Sequence, residues 1–370
     1  MLKRLSLIRV AVSAFTLLLA QSPSAGLGQP SATTSTAALP GGLAAVMVND
    51  PQSASLDVSP LSNPSISGTA LQIHWSDLEP AEGKPDWTRL DALFSAAERS
   101  KKWVQLLIFP GFFSPAWALK GVRFGEFALQ YGPGQGTVMK LPVPYNAVYL
   151  KRWFAFLSLL SARYGKSPAF RVIAADGPTS VSAECTLPNA APAVKKWQKL
   201  GYTPTKYLGA WQQVFAAYAA AFPNQYVSLS DGSGQVGLND QGKLASPQAA
   251  TTRHAILAAA ISALGRRFVL QSSNVHAGAG PHSPNSQADD KVVIDSAGKI
   301  VTGLQMRSAA KNSSKVMGAA GNPPLALQRS IDLALETNAA GHHINYLEIY
   351  EADVLDAKMQ TVLKSAAARF

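Results

Sequence analysis

The sequence predicts an α/β fold, a single (β/α)8 barrel, because eight short apolar runs recur along the 370-residue chain with longer Ala/Leu-rich segments between most of them. Length agrees. About 330 residues (41–370) follow the N-terminal segment, which is ordinary for a closed barrel with insertions and large for one open doubly wound sheet. Alternation of strand and helix argues for a parallel sheet, and eight strands argue for closure. No fixed-period repeat competes with this reading.

The expected strands are Ala44–Val48, Ala70–His74, Trp103–Phe109, Phe170–Ala174, Tyr226–Ser230, Phe268–Gln271, Gly303–Arg307 and Ile344–Tyr350. Helical periodicity is read over Trp87–Arg99, Ala147–Tyr164, Tyr207–Phe222, Thr251–Leu264 and Leu325–Asn338. No clear helix is read between the first and second strands or between the sixth and seventh.

The N-terminus reads as an export leader. Lys3, Arg4 and Arg9 precede an apolar run from Val10 to Ala20, and Ser22-Pro23-Ser24-Ala25 suits cleavage near Ala25. The run is shorter than the roughly 20 residues a membrane span needs, and no later stretch reaches that length. The expectation is a leader at 1–25, a low-complexity linker at 26–40 and a barrel at 41–370, secreted or periplasmic, with no membrane span in the mature chain.

Composition narrows the chemistry. With 47% hydrophobic and 15% charged residues the chain can bury a large core, and a single cysteine, Cys185, excludes an internal disulfide framework. The six His show no ligand spacing, so neither a metal nor a cofactor is expected. Net charge is +11, but the basic residues are scattered, as in Lys195-Lys196 and Arg266-Arg267. Without a basic helix or an aromatic-interleaved stripe, nucleic acid is not expected as a partner, and a solvated basic surface is.

Within the strands the apolar residues alternate with polar ones. Leu71, Ile73, Leu304, Met306, Leu347 and Ile349 take the face that helices must cover, so Gln72, His74, Gln305, Arg307 and Glu348 should line one cavity at the C-terminal mouth. Two long loops follow strands three and four, where barrels keep their sites. Residues 110–146 carry Trp117, Phe124, Phe127 and Tyr131, and residues 175–206 carry Asp176, Glu184, Trp197 and Tyr202. Loops this long are usually lids or binding walls, and their aromatics either face a ligand or pack the loops onto the barrel.

The segment His74-Trp75-Ser76-Asp77-Leu78-Glu79-Pro80-Ala81-Glu82-Gly83-Lys84-Pro85-Asp86-Trp87, followed by Leu90-Asp91, carries a more specific pattern. Glu79-Pro80 closes a strand, Gly83 turns the chain, and Asp86-Trp87 starts a helix whose Leu90 and Leu93 face the sheet. It resembles the W-x-x-x-E-P-x-x-G-x-x-x-W/F-x-x-L-D signature after strand two in clan A glycoside hydrolases, nearest to the family 42 β-galactosidase type of TIM barrel. The likeness covers roughly residues 68–118. It implies a carbohydrate substrate and two glutamates, an acid/base after strand four and a nucleophile on strand seven, about 5–5.5 Å apart in a retaining enzyme.

The sequence departs from that pattern at both glutamates. The Asn-Glu pair that closes strand four in the family is missing, and Glu184 is the only glutamate in the segment from Ala175 to Cys185. Glu184 is either the general acid, with Val181 among its desolvating neighbours, or a solvated loop carboxylate. From Ser296 to Ile331 there is no Asp or Glu, and Gln305 stands where the nucleophile is expected. Glu348 on strand eight, ahead of Glu351 and Asp353, is either the second catalytic carboxylate or the partner of Arg307 in a barrel ion pair. His74, Trp75, Trp117, Asp176, Asn274, Gln305 and Arg307 are the expected contacts to sugar hydroxyls, with His276 and Asp231 nearby. Gly232-Ser233-Gly234 and the stretch from Gly278 to Gly280 lack a phosphate-cradle pattern.

Two functions from different classes follow. One is an exported glycoside hydrolase acting on an oligosaccharide through Glu184 and Glu348. The other is a barrel without the strand-seven nucleophile that binds carbohydrate and does not cleave it. A non-sugar hydrolase on the same scaffold is a third, since fold does not fix chemistry.

Overall fold

Eight parallel strands pair edge to edge until the last meets the first, in a computed structural model of the chain. They are β1 (Gly42–Val48), β2 (Gly68–His74), β3 (Trp103–Phe109), β4 (Phe170–Ala174), β5 (Tyr226–Ser230), β6 (Phe268–Val275), β7 (Val301–Met306) and β8 (Tyr346–Tyr350). Closure is made by β1 and β8, with Ala44 opposite Glu348 and Val46 opposite Tyr350. This is the (β/α)8 TIM barrel expected from the sequence, with every strand where the apolar runs fall.

The structure describes residues 37–130, 134–180, 184, 186–230, 235–246, 248–278 and 286–370, the side chains of 286–289 apart. The expected leader, the linker as far as residue 36, Tyr131, Val181, Cys185, Asp231, Gly232-Ser233-Gly234 and Ala279-Gly280 lie outside the described residues. Ala37 donates its N–H to the Asn224 carbonyl, and Arg171 donates to the Leu39 carbonyl. Residues 37–40 are thus attached to the barrel.

The major helices are α1 (Thr88–Arg99), α2 (Ala147–Tyr164), α3 (Ala191–Leu200), α4 (Pro204–Ala221), α5 (Gln248–Leu264), α6 (Ser286–Ser296), α7 (Pro323–Ala334) and α8 (Gln360–Ala367). Their starts follow local chemistry. Asn146, Thr203 and Asn322 each accept an N–H of the first turn of α2, α4 and α7, and proline opens α4 and α7. Helix α6 fills the β6–β7 connection, where the sequence shows no clear helical period. The β1–β2 connection holds only the turn Ser59–Ser62.

Side chains alternate as the pleat requires. Leu71, Ile73, Leu304, Met306, Leu347 and Ile349 all join the helix-facing core. Each such aliphatic residue, fully buried, contributes about 1.5–3 kcal/mol. The loop after β3 contains an antiparallel hairpin, Phe124–Ala128 against Val138–Pro142. Phe127 from that hairpin stacks on Trp197 of α3, with ring centres 4.5 Å apart. The two long loops therefore form one lobe at the C-terminal end of β3 and β4.

Candidate functional site

The barrel interior is built in layers from the bottom upward. Ala44, Trp103, Val172, Val269 and Tyr346 form a buried apolar layer, with the Trp103 and Tyr346 rings edge to face at 5.4 Å. Glycine makes room for both rings. A methyl group on Gly68 would sit 2.2 Å from Trp103, and one on Gly303 would sit 2.2 Å from Tyr346.

Above lies a buried amide layer. The Gln271 side-chain oxygen accepts from Gln105 at 3.1 Å and from the Tyr346 hydroxyl at 3.2 Å. The Gln271 amide nitrogen is left toward Glu348, whose carboxyl is completely buried. Burial pushes the Glu348 carboxyl up to about 8, outweighing the Gln271 amide, so it is protonated at neutral pH. The Glu348–Arg307 ion pair, one of the two alternatives the sequence left open for Glu348, is not formed. Arg307 points away to the mouth and donates to His276 Nε2 at 3.1 Å.

The mouth is lined by hydrogen-bonding groups that are mostly uncharged. Gln305 donates to the Tyr350 hydroxyl at 3.1 Å, and Gln72 approaches the Gln305 oxygen at 3.5 Å. Burial raises the Tyr350 phenol, with Gln305 acting against it and the Glu348 and Glu184 charges adding to it. Ser230 and Ser273 share a hydrogen bond of 2.9 Å. A register shift between Ser272 and Val275 splits the end of β6: Ser272 turns outward to Asp290 of α6, and Ser273 turns inward. Such bulges re-aim side chains at barrel rims. Asn274 sits half-exposed within it.

On the opposite wall His74 stacks flat on Phe113, with ring centres 3.8 Å apart. Its Nδ1 is 3.7 Å from Asp77, which also accepts from Asn49 at 2.9 Å. Burial lowers the His74 pKa, opposed by the Asp77 charge. Glu184 is bridged through its backbone to Ser230 at the end of β5, and its charge is felt by both Tyr350 and Asp176. Gln72, His74, Gln305 and Arg307 thus surround the mouth with Glu184, and Glu348 lies sealed beneath them.

Three expected sugar contacts belong elsewhere. Trp75 follows the alternation of Leu71 and Ile73 to the outside. It is completely buried, donates to Glu79 at 2.9 Å and packs on Trp153 at 5.0 Å, so it offers no face to a ligand. Trp117 donates to the Glu79 carbonyl at 2.8 Å and sits edge-on to Trp75, which makes it a strut for the long loop. Asp176 is buried behind the mouth. Its carbonyl accepts from Trp153, its N–H donates to the Tyr218 hydroxyl, and burial holds its carboxyl well above the ordinary range.

Tyr350, Phe113, Ser230, Ser273, Gln105 and Gln271 were not among the expected site residues. Tyr350 was signalled, since it lies two residues beyond Glu348 on the same face. Phe113 and the two serines carry no local signal. Among the described residues, no group of three His, Cys, Asp or Glu is placed to hold a metal, and no helix is long and apolar enough to cross a membrane.

No family model matches the chain, and no curated protein matches it. Among solved structures it is similar to the glycoside hydrolase GH5_18 from Bifidobacterium longum subsp. longum, determined in complex with Manβ1-4GlcNAc. That match has a TM-score of 0.52 and 12% identity over 89% of this chain and 78% of the other. It also matches an exo-β-1,4-mannosidase from Opitutaceae bacterium strain TAV5, with a TM-score of 0.49 and 13% identity over 90% of this chain. This chain spans 61% of that mannosidase's length. The likeness at TM-score 0.52 and 12% identity is one of fold, the (β/α)8 barrel, and does not extend to family 42 in particular.

Proposed function

We propose that this protein is an exported, glycoside hydrolase-like barrel that binds a saccharide at its C-terminal mouth without cleaving it. One observation carries the reading. The inward position on β7, where the clan A pattern puts a nucleophile, is an amide, Gln305, already bonded to Tyr350. The other inward carboxyl, Glu348, is buried and protonated below it. Hydroxyl and amide groups around an open mouth suit sugar recognition, and the stacked His74–Phe113 pair supplies a flat wall. Export rests on the leader-like residues 1–25, and the nearer tie to family 42 rests on the 74–91 pattern.

One feature favours hydrolysis instead, namely the Glu184 carboxylate beside the mouth as a general acid. A panel of chromogenic glycosides run beside a glycan array separates the two. Binding without turnover is the expected result. Turnover that disappears in Glu184→Gln would establish the hydrolase.

A further inference from the structure

We infer that the saccharide is acidic, a uronate-bearing polysaccharide whose carboxylate meets Arg307 at the mouth and whose chain runs over a basic lobe beside it; this rests on the saccharide-binding reading above. Arg307 follows the inward Gln305 by two residues and is exposed at the rim. Two other arginines are neutralised, Arg163 by Asp91 and Arg369 by Asp332, both at 2.6 Å, while Arg123, Arg171, Arg267 and Arg329 spend their donors on backbone carbonyls. Arg307 has no carboxylate partner among the described residues. It donates to His276 Nε2, and because a guanidinium only donates, that nitrogen carries no proton and brings no negative charge. A planar fork of donors is thereby held at the mouth with its charge unspent, which suits a carboxylate.

The second observation is independent of Arg307. The scattered basic residues of the sequence are gathered in space. Residues 118–152 and 191–206 hold nine Lys or Arg and a single acidic residue, Glu126, a net +8 within a chain of +11. The hairpin and α3 pack together through Phe127 on Trp197, and Arg123 donates to the Lys199 carbonyl. Arg123, Lys140, Lys195, Lys196, Lys199 and Lys206 are exposed on this lobe. Its supporting loop starts at the mouth, where Phe113 stacks on His74. A field of one sign beside a binding cleft attracts a polyanion.

Nucleic acid fits the lobe less well. Its aromatic rings are covered by cations, Lys140 over Phe124 at 4.7 Å, Lys196 over Phe127 and Lys206 over Tyr145 both at 5.6 Å, so they are not free to stack bases.

Calorimetry of the mature protein with trigalacturonate, galactotriose and polygalacturonate tests the inference, with oligo(dT) and anionic vesicles alongside. Trigalacturonate should bind at least roughly tenfold more tightly than galactotriose, and Arg307→Gln should abolish most of that difference without changing the melting temperature. The triple variant Lys195→Gln/Lys196→Gln/Lys199→Gln should keep trigalacturonate binding but weaken polygalacturonate and flatten its salt dependence. Equal binding of galactotriose and trigalacturonate, indifferent to Arg307, overturns the acidic-ligand inference and leaves saccharide binding standing. Binding of no saccharide, neutral or acidic, overturns both. Oligo(dT) or vesicles bound as tightly as polygalacturonate would mark a general polyanion surface and overturn the inference as well.

Discussion

Replacing Glu348 by Gln should stabilise the barrel, and the gain should grow with pH. The carboxyl is completely buried, its folded value is pushed up to about 8 from an ordinary 4.5, and no cation offsets the burial. Below the ordinary value the group is protonated in both folded and unfolded chains, and nothing is lost. Above it the unfolded chain ionises while the folded chain holds its proton, so the folded state loses about 1.4 kcal/mol per pH unit until the folded value is passed. Across that window the loss is on the order of 4 kcal/mol. Glutamine has nearly the same shape, never ionises, and its amide can meet Gln271. Urea unfolding of both proteins at about pH 4.5 and about pH 8 measures the effect. Near-equal stability at the lower pH and a lead of several kcal/mol for the variant at the higher pH are expected. A variant less stable at the higher pH would refute the reasoning, because it would mean that Glu348 is ionised and paired in the folded protein.

Two further substitutions test the packing. Gly303→Ala puts a methyl group 2.2 Å from the buried Tyr346 ring. It should cost at least about 1–3 kcal/mol, read as a fall in melting temperature, and an unchanged melt would remove the Tyr346 ring from that position. Asp353→Ala deletes the acceptor that holds the Ala310 and Lys311 N–H groups at 2.7 and 2.8 Å. It should cost about 1–2 kcal/mol in urea unfolding, and a loss below a few tenths would show that the turn after β7 does not depend on this cap.

The barrel was legible because a parallel strand covered by helices writes its outer face as a period of two. Leu71, Ile73, Leu304, Met306, Leu347 and Ile349 were enough to orient β2, β7 and β8. The same rule holds one residue past the end of the strand, where the sugar-contact reading of Trp75 did not follow it. Trp75 opens a helical turn but continues the outward face of Leu71 and Ile73, so its position beside His74 in sequence hid its place behind the sheet. Contacts between distant segments were not legible. Nothing near Arg307 in sequence announces His276 as its partner, and nothing near Lys196 announces that the hairpin at Glu126 lies against it. The basic lobe therefore read as scattered charge. Helix α6 escaped because its polar start at Ser286-Gln287 and its charged centre at Asp289, Asp290 and Lys291 blur the apolar stripe.

The saccharide-binding proposal draws on the arrangement of the interior. A retaining hydrolase needs two carboxyls about 5–5.5 Å apart and an inverting one needs about 6.5–9.5 Å, and at least one must be ionised at the reacting carbon. Glu348 pairs across the sheet with Gln305, and the tilt of the strands sets it one layer lower in the barrel. Ionising Glu348 there would require water or a cation beside it. The space below is filled by Trp103 and Tyr346, the side is occupied by Gln271, and above run Tyr350, Gln305 and Gln72. Each of these neighbours is uncharged. The carboxyl therefore keeps its proton inside an amide-rich core, while half-buried Glu184 and exposed Arg307 carry the charges at the mouth.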